Sequence, residues 1–432
     1  METLNRELLS FIEQCPTAWQ AAAKVAETLE QAGYCRLREE DDWTLRAPGK
    51  YFVVRNGSAV IALNLPEQPD GFLMMAAHDD APGFRVKADP ENKTLGLYTR
   101  LSVENYGGML CSTWMDRPLS LAGRVAVREE GGVDFRLVNV ERDLLLIPNL
   151  AIHMDRSAND GKKFNTNEDM LPLLGGAELA GGLNALLARE LGVKEEDIVG
   201  HELNLYPRTP GTVWGAENEY ISSPRLDDLQ CVFGCLKGFL AVEKPQRATV
   251  LCVFDNEEVG SSTRQGADST FLDDVLSRVY AALGRSEAQY RAALSRSFMV
   301  SADNAHAVHP NHPQYADRSE RPALNAGVVI KYNASQKYTT DGVSAAVFSE
   351  LCRRAEVPVQ RYSNRADLRG GSTLGNISLS HVSVPSLDIG LAQLAMHSSY
   401  ETAGAKDTEY LVRAAKAFYE SAYRVNGERV AL

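Results

Sequence analysis

Three short apolar runs, FLMMAA (72–77), TVLCVF (249–254) and FMVSA (298–302), each stop at once on a histidine or an acid: His78, Asp255 and Asp303. FLMMAA, apolar throughout, reads as a strand covered on both faces. YFVV (51–54), AVIAL (59–63) and AGVVIK (326–331) add further β-type segments. Amphipathic helical stretches begin at 227, 341 and 408: DDLQCVFGCLKGFLAV, DGVSAAVFSELCRRAEV and TEYLVRAAKAFYESAYRV. Ala18, Ala22, Val25, Ala26 and Leu29 recur at helical spacing, with Thr17 as the expected cap and Gly33 as the stop. Strands alternating with helices predict an α/β fold with a three-layer α/β/α core.

Residues near 90–206 break this rhythm. TLGLYTRLS, LAGRVAVRE and DFRLVNV are β-type, ELAGGLNALLARELG is helical, and DRSANDGKKFNTNEDM (155–170) reads as a long exposed loop. The expected division is a discontinuous catalytic unit, 1–88 and 207–432, with a β-rich unit, 89–206, inserted into it.

The 432 residues carry 45 basic and 57 acidic side chains, a net charge of −12, which disfavours nucleic acid and anionic membranes as partners. No run approaches the roughly 18 apolar residues of a membrane span. The start, METLNRELLSFIEQCP, lacks the basic-then-apolar order of a signal peptide. Seven scattered cysteines without a C-x-x-C read as core thiols, not as a disulfide framework, so the expected location is the cytoplasm.

Chemistry concentrates where the apolar runs end. In AAHDDAPG, His78 and Asp80 point to the same side of an extended chain, so the carboxylate could orient a metal-binding imidazole. Taken singly, His78 also reads as a strand-end histidine. Asp227 and Asp228 precede a helix and could cap it. Glu257 and Glu258 follow the 249–254 run directly, and adjacent acids there need positive charge nearby. Asp303 ends the 298–302 run, and His306, His309 and His312 follow it. Those three do not stack on one helix face and Pro310 intervenes, so Asp303 ranks above them as a ligand. His397 follows another apolar stretch, where core packing is the competing reading. Together His78, Asp227, Glu258, Asp303 and His397 supply two histidines and three carboxylates, about what two zinc ions need, with one acid left over as general base.

With AAHDD, SPRLDD, FDNEEVGSSTRQGA, SADNAHAVHPN, DLRGGSTLG and LAQLAMHS in this order, the sequence resembles the aspartyl aminopeptidase family, dinuclear zinc exopeptidases that assemble as tetrahedral dodecamers. The resemblance covers nearly the whole chain. It implies Asp227 as the carboxylate bridging two Zn2+ ions per subunit, with His78 and Asp303 on one ion and Glu258 and His397 on the other. Co2+ or Mn2+ could replace zinc. Glu257 would be the general base and Asp80 the partner of His78. The inserted unit would be a dimerisation domain, and His153 of IPNLAIHMD would reach a neighbouring subunit's site. KYNASQKY resembles the segment facing the substrate pocket, making Lys331 and Tyr338 candidates for an acidic side chain. A surface lysine is the other reading of Lys331.

The implied activity is release of N-terminal Asp or Glu from peptides with a free N-terminus by a homo-oligomer, a dodecamer built from dimers. Neutral or broad specificity, or a carboxypeptidase or deacylase on the same scaffold, are the alternatives. The chain departs from the family's H-T-D and R-L-D-N at Asp79 and Asp228, and lacks the usual arginine after His397.

Overall fold

The computed structural model describes residues 2–432 apart from Ala180, Arg369, Ser372 and Glu428. Arg369 and Ser372, part of the DLRGGSTLG block, therefore lie outside the described residues, as does Met1. Among the described residues the largest sheet has nine strands, in the spatial order 35–37, 49–55, 59–65, 248–254, 72–78, 298–302, 386–390, 328–332, 359–363.

At its centre Phe72–His78 runs parallel to both Ala248–Phe254 and Phe298–Ala302. Alternation along Phe72–His78 decides which layer each side chain enters. Leu73, Met75 and Ala77 join one core with Leu229, Phe239, Leu411 and Phe418, from helices Leu226–Leu240 and Asp407–Glu420. Phe72, Met74 and Ala76 join the other with Phe271, Val275 and Val279, from Phe271–Ala282. Both faces are covered, so all seven strand residues are buried and six are apolar; the one polar residue, His78, is partnered by Asp80 at the strand end. The expected three layers are present.

A second sheet, 132–139, 119–129, 198–207, 83–94, 98–106 and 173–176 in spatial order, carries its own core. Phe84, Leu101, Val103, Trp114 and Leu121 pack there against Leu183, Leu186 and Leu187 of Gly182–Leu191. Its first strand begins at Gly83, before the expected boundary at 89, because Gly83–Val86 already pair with Val103–Tyr106. Thr17 sits at the start of Ala18–Gln31 but its side chain makes no capping bond; the hydroxyl turns to Gln20 instead. The last expected helix stops at Glu420, and Arg424–Asn426 pairs with Arg429–Ala431 as a hairpin.

A small third sheet matters most for the site. Its order is 212–214, 220–223, 401–404, 392–394, 305–306. It fastens together the segments just before Asp227, just after Asp303 and on both sides of His397. No helix among the described residues is long and apolar enough to cross a membrane. All seven cysteines are free; Cys15, Cys231, Cys235, Cys252 and Cys352 are buried, whereas Cys35 is exposed and Cys111 half-buried, departures from a purely core reading.

Candidate active site

Side chains from far apart in the chain meet at the strand ends of the central sheet, the usual place for a site in an open α/β fold. His78 closes the Phe72–His78 strand, Asp303 follows Phe298–Ala302, and Glu257 and Glu258 lie in the turn after Ala248–Phe254. Asp227 enters at the start of Leu226–Leu240, and its peptide bond to Asp228 is cis. His397 occupies the loop between Ala392–Leu394 and Glu401–Gly404 with φ 66°, a left-handed conformation that a non-glycine residue adopts only when its surroundings hold it.

One potential ligand atom from each of His78, Asp227 and Asp303 lies within 4.8 Å of the others. The same holds for Asp227, Glu258 and His397, and for His78, Glu257 and Glu258. Asp227 belongs to the first two sets. Its Oδ1 is 3.7 Å from His78 Nε2 and its Oδ2 is 3.5 Å from His397 Nε2, which is also 3.4 Å from Glu258 Oε1. The five expected ligands and Glu257 all line one cleft of about 290 Å3.

The imidazoles are oriented through their other nitrogens. His397 Nδ1 is 2.8 Å from the Gly108 carbonyl oxygen, and His78 Nδ1 is 3.0 Å from the Asp80 carbonyl oxygen and 3.3 Å from Asp80 Oδ1. This leaves both Nε2 atoms facing the carboxylates. Asp80 does more than the sequence suggests. Its carboxylate also accepts the N–H groups of Glu257 and Glu258, each at 3.1 Å.

The electrostatics show a cluster short of positive charge. Burial, then the Asp303, Asp80 and Asp227 carboxylates, push Glu257 up to about 7 against the pull of His78. Burial and Asp227 push Glu258 well up. Burial would raise Asp227 too, but His397 and His78 on either side hold its carboxyl below the usual range. Burial would lower His397, yet Asp227 and Glu258 hold it at about 10. Asp227 Oδ1 is buried without a hydrogen-bond partner among the described residues. Imidazole nitrogens and carboxylates in this arrangement are a zinc donor set, and divalent cations would supply the missing charge.

Beyond the acids the cleft is walled by His306, Lys331, Tyr338 and Tyr362. Lys331 is buried, 3.2 Å from Asp303 Oδ1 and 5.5 Å from the Tyr338 ring centre, so it is not a surface lysine. His309 and His312 are exposed, and the Asn311 N–H donates to His309 Nδ1. His153 is exposed and does not line the cleft of its own chain. Asp79 is buried with neither carboxylate oxygen hydrogen-bonded among the described residues, and burial together with Asp255 pushes it well up.

Sequence reasoning missed Glu401. Fully buried, it accepts the Asp227 N–H at 3.0 Å and the His397 N–H at 2.7 Å, tying the two loops together. No signal short of the third sheet's pairing, Ser223 opposite Glu401, would have found it.

A mostly parallel sheet with two imidazoles and several carboxylates converging at its strand ends defines a metal-dependent hydrolase. The chain belongs to the M18 family, the aminopeptidase I zinc metalloproteases, whose family model matches residues 11–419. It is 43% identical over 423 residues to a probable M18 family aminopeptidase 2 of Clostridium acetobutylicum, covering 96% of this chain and 98% of that protein. The Pseudomonas aeruginosa protein of the same name (strain UCBPP-PA14) is 42% identical over 429 residues, covering 97% and 98%. Among solved structures, Ape4 in its complex with Nbr1 superposes with a TM-score of 0.94 at 35% identity, over 97% of this chain and 86% of that one. The S. cerevisiae mApe1 dodecamer gives 0.85 at 26% identity, over 96% of each. The protein is therefore a zinc-dependent aminopeptidase, and the carboxypeptidase and deacylase alternatives are not favoured.

Proposed function

We propose that this aminopeptidase releases acidic residues from peptide N-termini at a two-zinc centre, with Glu257 moving the proton. One observation carries the reading: the His78–Asp227–Asp303 and Asp227–Glu258–His397 sets share Asp227. His78 and Asp303 would hold one ion, Glu258 and His397 the other, and Asp227 both. The chemistry such ions would supply is an acidified water and a polarised carbonyl.

Glu257 accepts the attacking water's proton at its carboxylate and returns it to the leaving amine. Asp80 holds His78 and the main chain of both glutamates in place. The substrate's free α-amino group docks among the carboxylates, which limits cutting to the first peptide bond. Lys331 and Tyr338 receive the acidic side chain; a buried cation is the partner such a group requires.

His153 would enter a neighbouring copy's cleft and steady the developing oxyanion. A dimer would supply that neighbour, and we read the assembly as a dodecamer built from such dimers, like that of mApe1. The exposed Val133, Phe135 and Leu137 on the edge strand Gly132–Asn139 support an interface on the inserted unit, which would then be the dimerisation domain. Buried, unpaired thiols fit the cytoplasm.

The test is metal content per chain together with hydrolysis of Asp-, Glu- and Leu-arylamides, for wild type and Glu257→Gln. Two zinc ions per chain, faster turnover of the acidic substrates, and an inactive variant that keeps its zinc are expected. An active Glu257→Gln enzyme would remove the assigned base.

A further inference from the structure

The chain leaves the metal site through Asp79 and Asp80, enters the second sheet at Gly83 and returns along Tyr98–Tyr106. Gly83 and Tyr106 pair across the base of that hairpin, so the returning strand ends beside the site it left. Tyr106 is buried there, with its hydroxyl 2.7 Å from Asp80 Oδ2 and 2.7 Å from Asn256 Nδ2.

The direction of these bonds is fixed. Asn256 Oδ1 accepts from Thr263 Oγ1 and from Gln265 Nε2, each at 2.8 Å, so its NH2 group must point at Tyr106. The phenol oxygen therefore accepts from Asn256 and gives its own proton to Asp80.

The next residues touch the other half of the cluster. Gly107 has φ +69°, and a Cβ there would lie 3.1 Å from Glu258 Cβ and 3.2 Å from the Glu258 carbonyl oxygen, so the strand presses against the glutamate's stem. The Gly108 carbonyl takes His397 Nδ1, and the Leu110 N–H donates to the His397 carbonyl at 3.0 Å. Thr113 Oγ1 accepts the Ser399 N–H at 2.9 Å. One continuous segment, 106–113, thus grips both sides of the site.

We propose that Tyr106 is a positioning residue for the reaction and that 106–113 is a strap through which the second sheet sets the geometry of the metal cluster. The proposal rests on the two-zinc reading above. A displacement of the second sheet would reach Glu258 and His397 through this segment, and Asp80 both through Tyr106 and along the chain from Gly83.

Tyr106→Phe removes one hydroxyl and keeps the ring that packs under Arg85. It should lower kcat about 10-fold, the scale of a lost hydrogen bond to a charged group, with KM changed less than about 2-fold. Zinc should pass to a chelator about 10-fold faster. Thr113→Val, which loosens the His397 side with Tyr106 intact, should also speed zinc loss. A merely structural tyrosine would lower the melting temperature and leave kcat per folded enzyme and zinc retention alone, and that result overturns the proposal. Wild-type kinetics and retention in both variants overturn it equally. Fewer than two zinc ions in the wild-type enzyme would instead defeat the two-zinc reading, and the strap with it.

Discussion

Lys331 Nζ lies 3.2 Å from Asp303 Oδ1 in a buried pair, so the lysine lining the cleft is also the partner of a proposed zinc ligand. Burial would strip Lys331 of its proton, but Asp303, Tyr338 and Asp388 hold it charged. An ammonium has three donors, and one is committed to Asp303. Lys331→Ala should therefore lower kcat/KM for an N-terminal Asp substrate far more than for Leu, by about 10-fold or more, since buried charge pairs are worth that much. It should also weaken zinc at the His78–Asp303 position, read by metal titration. Equal losses on Asp and Leu substrates would leave the lysine as a support for Asp303 only.

Trans-subunit action by His153 has a clean signature. His153→Ala and Glu257→Gln should each abolish most activity, while co-expressed chains should regain about a quarter of the sites by random pairing of copies. Mixed oligomers that stay inactive would place His153 outside the reaction.

Metal-free protein should lose stability as pH rises. Burial pushes Asp255, Glu257 and Asp407 each up to about 7, whereas the unfolded chain releases these protons near pH 4. Between about pH 4 and 7 the folded state holds more protons than the unfolded one, so its advantage shrinks through that window. Chelator-treated protein should melt lower at pH 7.5 than at pH 5, and zinc should restore it most at pH 7.5, where protons no longer compete. A melting point that climbs with pH after chelation would contradict the assignment.

Phe239 tests the core. It is fully buried, with its ring centre 5.5 Å from those of Tyr34 and Tyr419. Phe239→Ala should cost about 3–5 kcal/mol by leaving a cavity under the helix Leu226–Leu240, which carries Asp227 at its start. Urea denaturation measures it; a loss under 1 kcal/mol would mean the helix layer repacks freely.

The layer order was legible from residues 72–77, an apolar run covered on both faces. His78 by itself also read as a strand-end histidine, and the site's position emerged only from its company with Asp227, Glu258, Asp303 and His397. Asp303 and the Glu257–Glu258 pair were legible as acids following apolar runs. Glu401 and Tyr106 were not, because their roles exist only through pairings across long sequence separations: Ser223 with Glu401, and Gly83 with Tyr106. The start of the second sheet at Gly83 was hidden likewise, since Gly83–Val86 continue the site loop in sequence and join the new sheet only by pairing. Lys331 was ambiguous because sequence cannot say whether a lysine is covered.

The third sheet draws strands from 212–223 and 392–404 to one edge, and residues from 78 to 397 complete the donor set. A chain still emerging from the ribosome thus carries no working peptidase until its final third has been made and zipped into place.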